Sequence, residues 1–148
     1  MGDTMTFEQM NLDKNIIQAL HTLGYEKPLP VQEKVIPNIL LGTDCIVKSR
    51  TGSGKTASFA IPIIQNIEID ERSPQALVLT PTRELALQIQ QDFDRIGTFK
   101  KIKTLPIFGK QPFKFQKEDL KQRCHVVIGT PGRVLDHLQQ QTLDPSKI

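Results

Sequence analysis

The run Lys48-Ser49-Arg50-Thr51-Gly52-Ser53-Gly54-Lys55-Thr56 gathers the residue types that bind a chain of phosphates. Gly52 and Gly54 allow the backbone to bend so that its N–H groups face an anion at the start of a helix. Lys55 is placed to reach the outer phosphates, and the Thr56 hydroxyl to ligate a phosphate-bound magnesium ion. The flanking sequence suits such a loop. Asp44-Cys45-Ile46-Val47 reads as a short apolar strand before it, and Ala57 to Ile67 as a helix after it. The general pattern has glycine at position 49; Ser49 departs from it, while the Gly-Ser-Gly-Lys-Thr core is intact. The plainer reading is an ordinary Gly/Ser turn between strand and helix.

Two further junctions, Thr80-Pro81 and Thr130-Pro131-Gly132, share one design. In each, threonine suits a helix cap and proline the first helical position, where the N–H is unpaired anyway. Each places an arginine, Arg83 or Arg133, in the first helical turn, where a cation opposes the helix dipole. Two cations at matching unfavourable positions suggest an anionic ligand, and a sugar–phosphate backbone fits. Otherwise the junctions are good strand-to-helix turns and the arginines are merely solvated. Glu84 is expected to pair with a neighbouring basic group.

The rest of the chain must position these groups. Leu12, Ile16, Leu20 and Leu23, with Ile17 widening the stripe, predict an amphipathic helix over 12–23, ended by Gly24. After Pro28 and Pro30, Val31, Val35, Ile36, Ile39 and Leu40 predict a second helix, closed by Gly42. Ala76 to Leu79 reads as a buried strand, 81–97 as a helix, and Ile102 to Phe108 as a weaker strand whose Pro106 belongs at a sheet edge. A short charged helix over 114–121, a buried strand over 125–128 and a helix over 131–139 follow. Alternating strands and helices behind a two-helix preamble predict a three-layer α/β domain with a mostly parallel sheet. Both junctions then fall at the carboxyl ends of strands, where open α/β sheets bind ligands.

At 148 residues, with 38% hydrophobic and 24% charged residues, the composition is that of one ordinary globular domain. No apolar run is long enough to span a membrane, and an N-terminus with Asp3 and Glu8 lacks the marks of a signal peptide. Cys45 and Cys124 fall on predicted buried strands and read as reduced core thiols of a cytoplasmic protein. A net charge of +3 permits polyanion binding without requiring it.

Four of these segments carry a resemblance. Phe7 with the run Gly24-Tyr25-Glu26-Lys27-Pro28-Leu29-Pro30-Val31-Gln32 resembles the adenine-reading Q motif of DEAD-box RNA helicases. Ser49 to Thr56 resembles their first ATPase motif, which usually begins with alanine. Pro81-Thr82-Arg83-Glu84-Leu85-Ala86 and Thr130-Pro131-Gly132-Arg133 are similar to two of their RNA-contacting motifs. Phe108-Gly109-Lys110 departs from the usual pair of glycines, and Lys110 is either an added phosphate contact or simply solvated. That substitution and the wording around Val47-Lys48-Ser49 resemble the bacterial DbpA/YxiN branch, whose members act on ribosomal RNA through a separate C-terminal domain.

The resemblance implies a RecA-like domain, with 1–33 a helical extension carrying the Q motif and 34–148 part of the ATP-binding domain. It implies ATP and magnesium as cofactors and RNA as partner. Gln32 would read the adenine edge, Tyr25 would stack on the ring with Lys27 beside it, and Phe7 would brace the motif; simple core filling is the other reading of Phe7 and Tyr25. Ser49, Arg50, Thr51, Gly52, Ser53, Gly54, Lys55 and Thr56 would hold the phosphates, Lys55 and Thr56 being catalytic. Pro81, Thr82, Arg83, Gly109, Thr130, Gly132 and Arg133 would line an RNA path of backbone contacts, blind to sequence. The Asp-Glu-Ala-Asp strand, later motifs and second RecA-like domain of the family would lie beyond Ile148. The 148 residues are therefore expected to lack unwinding activity alone, and two sheet edges to be left without their strands. A P-loop kinase or GTPase would explain the phosphate loop but not Arg83 and Arg133. A non-enzymatic RNA-binding module holding nucleotide as a structural ligand would explain both.

Overall fold

The structure is a computed structural model that describes residues 5–148; Asp3 lies outside them. The chain forms two compact units, one ending at Asn66 and reclaiming Arg95–Lys100, the other made of Ile67–Asp94 and Lys101–Ile148. Helix α2 (Pro30–Leu40) runs across position 33.

The first unit is helical. A 3-10 turn at Glu8–Met10 precedes α1 (Lys14–Thr22), α2 and α3 (Lys55–Asn66). The apolar stripes read from the sequence form its core: Phe7, Ile16, Leu20, Ile36, Ala60, Ile61 and Ile64 are all buried. Helices α1 and α2 both lie against α3. Lys100, only 10% exposed, donates from Nζ to the carbonyls of Ile64 (2.7 Å) and Gln65 (3.0 Å) at the end of α3 and pairs with Asp13 at 3.2 Å. A cation on those orphan carbonyls complements the helix dipole.

The expected strand over 44–47 does not form. Positions 43–50 form no helix or strand, and Ile46 and Val47 are exposed. An apolar run becomes a strand only when another strand supplies its hydrogen bonds, and the run is paired with none among the described residues. Cys45 is correspondingly exposed, not a core thiol. Cys124 is buried, and burial pushes its thiol up to about 12, so it stays protonated and inert.

The second unit is α/β. Strands β1 (Ala76–Leu79), β2 (Thr104–Ile107) and β3 (Val126–Gly129) form a parallel sheet in the order β1-β3-β2. The central strand is buried along its whole length, and Pro106 sits on an edge strand, where its missing N–H is tolerated. Leu77, Leu105 and Val127, on one face, pack with Leu120 of α5 (Phe113–Leu120), Val134 and Leu138 of α6 (Pro131–Gln139) and Leu143. On the opposite face Thr104 binds Gln90 (3.2 Å) and Asp94 (2.6 Å) of α4 (Arg83–Ile96). Helices on both faces make the predicted three layers. His125 ties the base of the sheet: Nδ1 accepts from Lys103 N–H and Nε2 donates to the Ile69 carbonyl, both at 2.9 Å. β1 is hydrogen-bonded to a neighbour on one side only.

Candidate functional site

In the first unit the phosphate-loop residues lead directly into α3, which starts at Lys55 rather than at Ala57. Gly52 (φ 79°) and Gly54 (φ 89°) take the left-handed conformation that turns successive N–H groups toward one side. The first N–H groups of α3 have no intrahelical acceptor, which makes this end an anion site in principle. Lys55 Nζ donates to the Ser49 carbonyl at 2.6 Å, and the Ser49 and Ser53 hydroxyls meet at 2.5 Å, so the loop is closed by its own polar groups. Arg50 and Thr51 are exposed at its tip, and Thr56 is half-buried.

Gln32 is fully buried against this loop. Its Oε1 accepts from Leu29 N–H (2.9 Å) and its Nε2 donates to the Gly54 carbonyl (3.3 Å). The first bond is half of a capping box; Leu29 has no acceptor to supply the other half. A β-carbon on Gly54 would stand 2.5 Å from Gln32 Nε2 and 2.8 Å from Leu29 Cδ1, so glycine is what allows the approach. The expected base reader and phosphate cradle are thus adjacent, but both functional groups of the carboxamide are in use. Tyr25 is half-buried beside a cavity of about 240 Å³ that it lines with Glu8, His21 and Glu26. Lys27 is exposed, and Phe7 is a core residue at 1% exposure. A cavity of about 600 Å³ between α2 and positions 43–49 touches the start of the loop, at Lys48 and Ser49.

In the second unit the register brings three junctions to one rim. Leu79, Gly129 and Ile107 end their strands side by side, so Thr80-Arg83, Thr130-Arg133 and Phe108-Lys110 leave from neighbouring points. The first junction differs from expectation. Helix α4 begins at Arg83, and Thr82 caps it by accepting from Leu85 N–H at 3.2 Å, while Thr80 donates to the Thr82 carbonyl. Thr130 is the N-cap residue of α6 with Pro131 following, but its hydroxyl makes no capping bond. Pro81, Thr82 and Arg83 are exposed, and the Arg83 guanidinium lies 5.2 Å from the centre of the Phe108 ring. Glu84 forms no ion pair among the described residues. It is exposed in the first turn of α4, where the helix dipole alone favours a carboxylate.

Arg133 is not a free cation. Its Nη1 donates to the Gln111 carbonyl (2.7 Å) and to Gln116 Oε1 (3.1 Å), while Nε faces Asp136 at 3.7 Å. Gln116 is buried and also donates to the Phe108 carbonyl (2.8 Å) and accepts from His137 Nε2 (2.8 Å). Arg133, Gln116 and His137 therefore brace both ends of the Gly109-Lys110-Gln111 turn. The sequence reading missed Gln116 and His137; the available signal was a glutamine on the inward face of α5, where an apolar residue is the default. Gly109 and Gly132 have nothing within 4 Å of a virtual β-carbon, so packing does not demand glycine there.

Burial, and next the Arg133 guanidinium, push the His137 pKa below its ordinary value, against a smaller pull from Asp136. A ring held neutral in the folded state costs stability once the unfolded chain can take the proton. Stability is therefore complete above the ordinary histidine range of about 6.5 and falls as pH drops below it. The thermal midpoint of the native chain should fall more between about pH 7.5 and 5.5 than that of His137→Gln, which keeps an amide donor for Gln116 without a titrating ring. Parallel curves would show that His137 is not the group responsible.

The model of the DEAD/DEAH box helicase domain matches residues 29–148. The chain belongs to the DEAD/DEAH box helicase family. Among curated relatives it is 53% identical to the ATP-dependent RNA helicase DbpA of Bacillus subtilis, over 93% of this chain and 29% of the relative. It is 41% identical to the DEAD-box ATP-dependent RNA helicase CshA of Geobacillus kaustophilus, over 93% and 30%. Among solved structures, a DEAD box protein from Methanococcus jannaschii superposes with a TM-score of 0.92 at 40% identity, over 99% of this chain and 40% of that one. Dbp5 of S. cerevisiae bound to RNA and ADP BeF3 gives 0.84 at 29% identity, over 97% and 36%. The chain thus spans less than a third of the length of these curated relatives. As a DEAD-box domain it has the expected α/β fold, and none of its described helices is long and apolar enough to cross a membrane.

Proposed function

We propose that this chain is the nucleotide-binding part of a cytoplasmic ATP-dependent RNA helicase, in which ATP and RNA together close this domain against a second RecA-like domain. The observation that carries the reading is the contact of Gln32 with Gly54, which sets an amide able to donate and accept beside a phosphate-type loop. In this reading adenine exchanges its own hydrogen bonds for those of Gln32, with Tyr25 stacking and Lys27 alongside. Lys55 leaves the Ser49 carbonyl for the outer phosphates, and the loop N–H groups take the remaining oxygens. No group of three His, Cys, Asp or Glu side chains suited to a metal lies among the described residues. Magnesium would therefore rest on phosphate oxygens and the Thr56 hydroxyl, a hard oxygen donor of the right kind.

The rim of the second unit would carry RNA. Arg83 is exposed there, the Thr130 hydroxyl is not spent on a cap, and Gly109 and Gly132 open the backbone to a sugar–phosphate chain. Arg133 enters this reading by shaping the turn that presents Gly109. The relatives' names link the family to RNA helicase activity, and action on ribosomal RNA is the narrower form of the proposal.

The test is titration of a fluorescent ATP analogue into the 148-residue chain, with ATP and GTP as competitors. ATP should displace the analogue at least about tenfold better than GTP, since guanine presents the opposite donor and acceptor pattern to the amide. Equal competition would remove Gln32 from the role of base reader.

A further inference from the structure

Gln116 is the buried residue of α5, 2% exposed, at a position where an apolar side chain could pack with no hydrogen bonds to satisfy. Its carboxamide is matched instead, and the partners fix its direction. Nε2 donates to the Phe108 carbonyl at 2.8 Å, which turns Oε1 toward Arg133 Nη1 (3.1 Å) and His137 Nε2 (2.8 Å). His137 Nε2 must therefore carry the hydrogen, leaving Nδ1 to accept from the Thr142 hydroxyl at 2.7 Å. Phe113 completes the enclosure. Its ring stacks on His137, centres 4.1 Å apart and planes within 8°, and its centre lies 6.0 Å from the Arg133 guanidinium carbon.

This network decides what Arg133 can offer a ligand. The side chain is only 18% exposed, with Nη1 spent on the Gln111 carbonyl and Gln116, and Nε turned to Asp136. Nη2 makes no hydrogen bond among the described residues. No buried side-chain nitrogen lacks a partner there, so Nη2 reaches solvent. A cation in the first turn of α6 opposes the helix dipole. Gln116 and the Gln111 carbonyl offset that cost and hold the planar fork in one orientation. The same amide holds the Phe108 carbonyl, so Gly109 and the free edge of Arg133 are fixed by one side chain.

We propose that Gln116, seated by His137, is a positioning residue for RNA. It orients Arg133 so that Nη2 meets a backbone phosphate, and it holds the Phe108–Gln111 turn beside that contact. The inference rests on the rim being an RNA path. Ordering the guanidinium before the ligand arrives removes part of the entropy that binding would otherwise cost. A buried amide that served stability alone would leave Arg133 and the phosphate contact independent of it.

Fluorescence anisotropy of a labelled uridine-rich oligonucleotide with the 148-residue chain tests this. Gln116→Met keeps the length of the side chain and removes its donor and acceptor. It should weaken binding roughly tenfold and flatten the slope of log affinity against log salt by about 0.7, one phosphate contact. Arg133→Gln should do the same, and the double variant should lose little more than either single one. Should Gln116→Met melt below the assay temperature, His137→Leu takes its place in the cycle. It removes only one donor to Gln116 and should give a smaller loss, again not additive with Arg133→Gln. Losses that add, or an unchanged salt slope, would leave Gln116 a structural residue and overturn the proposal. Arg83→Ala separates that failure from a deeper one: weakened binding there keeps the rim as the RNA path. If the native chain does not bind the oligonucleotide, or Arg83→Ala and Arg133→Gln both bind as it does, the rim reading falls and this inference with it.

Discussion

Lys55→Met is expected to weaken ATP binding by about 100-fold or more while leaving the chain folded. The ammonium donates to the Ser49 carbonyl at 2.6 Å. It is therefore already drawn over the loop, its long side chain ordered before any anion arrives. Exchanging one neutral carbonyl for several anionic phosphate oxygens turns a single ammonium–dipole hydrogen bond into hydrogen bonds between opposite charges, each worth roughly 1.5–3 kcal/mol. Two such bonds correspond to about 3 kcal/mol or more, hence the factor of 100. Methionine keeps the length of the stem and removes only the charge and donors. The Ser49 carbonyl would lose its partner, but the residue is only half-buried and water can replace it, so the stability cost should stay under about 1 kcal/mol. Titration with a fluorescent ATP analogue, with the thermal midpoint as the control for folding, measures both. An affinity within threefold of the native chain would mean that this loop does not hold the phosphates.

What the sequence could and could not reveal divides along the range of the interactions involved. Helices α1 and α2 were legible because periodic apolar residues and terminal glycines act within one element. The buried strand β3 was legible for the same reason. The run 44–47 has the composition of a strand, yet composition cannot tell whether a partner exists to complete the hydrogen bonds. That error carried Cys45 with it. At the rim, the Thr-Pro-Gly-Arg pattern located Arg133 but not its engagement. Its partners Gln111, Gln116 and Asp136 are supplied by a preceding turn, a neighbouring helix and its own helix, and only the fold brings the first two near. Thr82 took the capping role expected of Thr80 because α4 starts two residues after Pro81, a shift that local propensity does not resolve. The adjacency of Gln32 and Gly54 is likewise tertiary; family resemblance pointed to it, and periodicity could not.

Three glycines at the rim should separate structure from ligand contact. Gly129 ends the central strand opposite Ile107, and a β-carbon there would overlap the Ile107 carbonyl oxygen and stand 2.7 Å from Val134 Cγ2. Neither neighbour can yield cheaply. The Ile107 carbonyl accepts from Thr130 N–H at 2.9 Å, and Val134 is buried in the first turn of α6. Gly129→Ala must therefore part β2 from β3 or lift α6. Overpacking commonly costs 1–3 kcal/mol, and with backbone as the obstacle the loss should reach roughly 3 kcal/mol or more, about 10 °C in thermal midpoint. Gly109→Ala and Gly132→Ala meet nothing within 4 Å and carry no positive φ, so they should leave the midpoint within a few degrees or raise it slightly. If the rim receives a sugar–phosphate chain, these two harmless substitutions should nevertheless weaken RNA binding, because a methyl group would stand where the ligand approaches the backbone. A pair of variants as stable as the native chain and equally able to bind RNA would leave the openness of Gly109 and Gly132 without a function, and the RNA path would have to be drawn elsewhere. A Gly129→Ala chain with an unchanged midpoint would contradict the close packing of β2, β3 and α6 on which the rim is built.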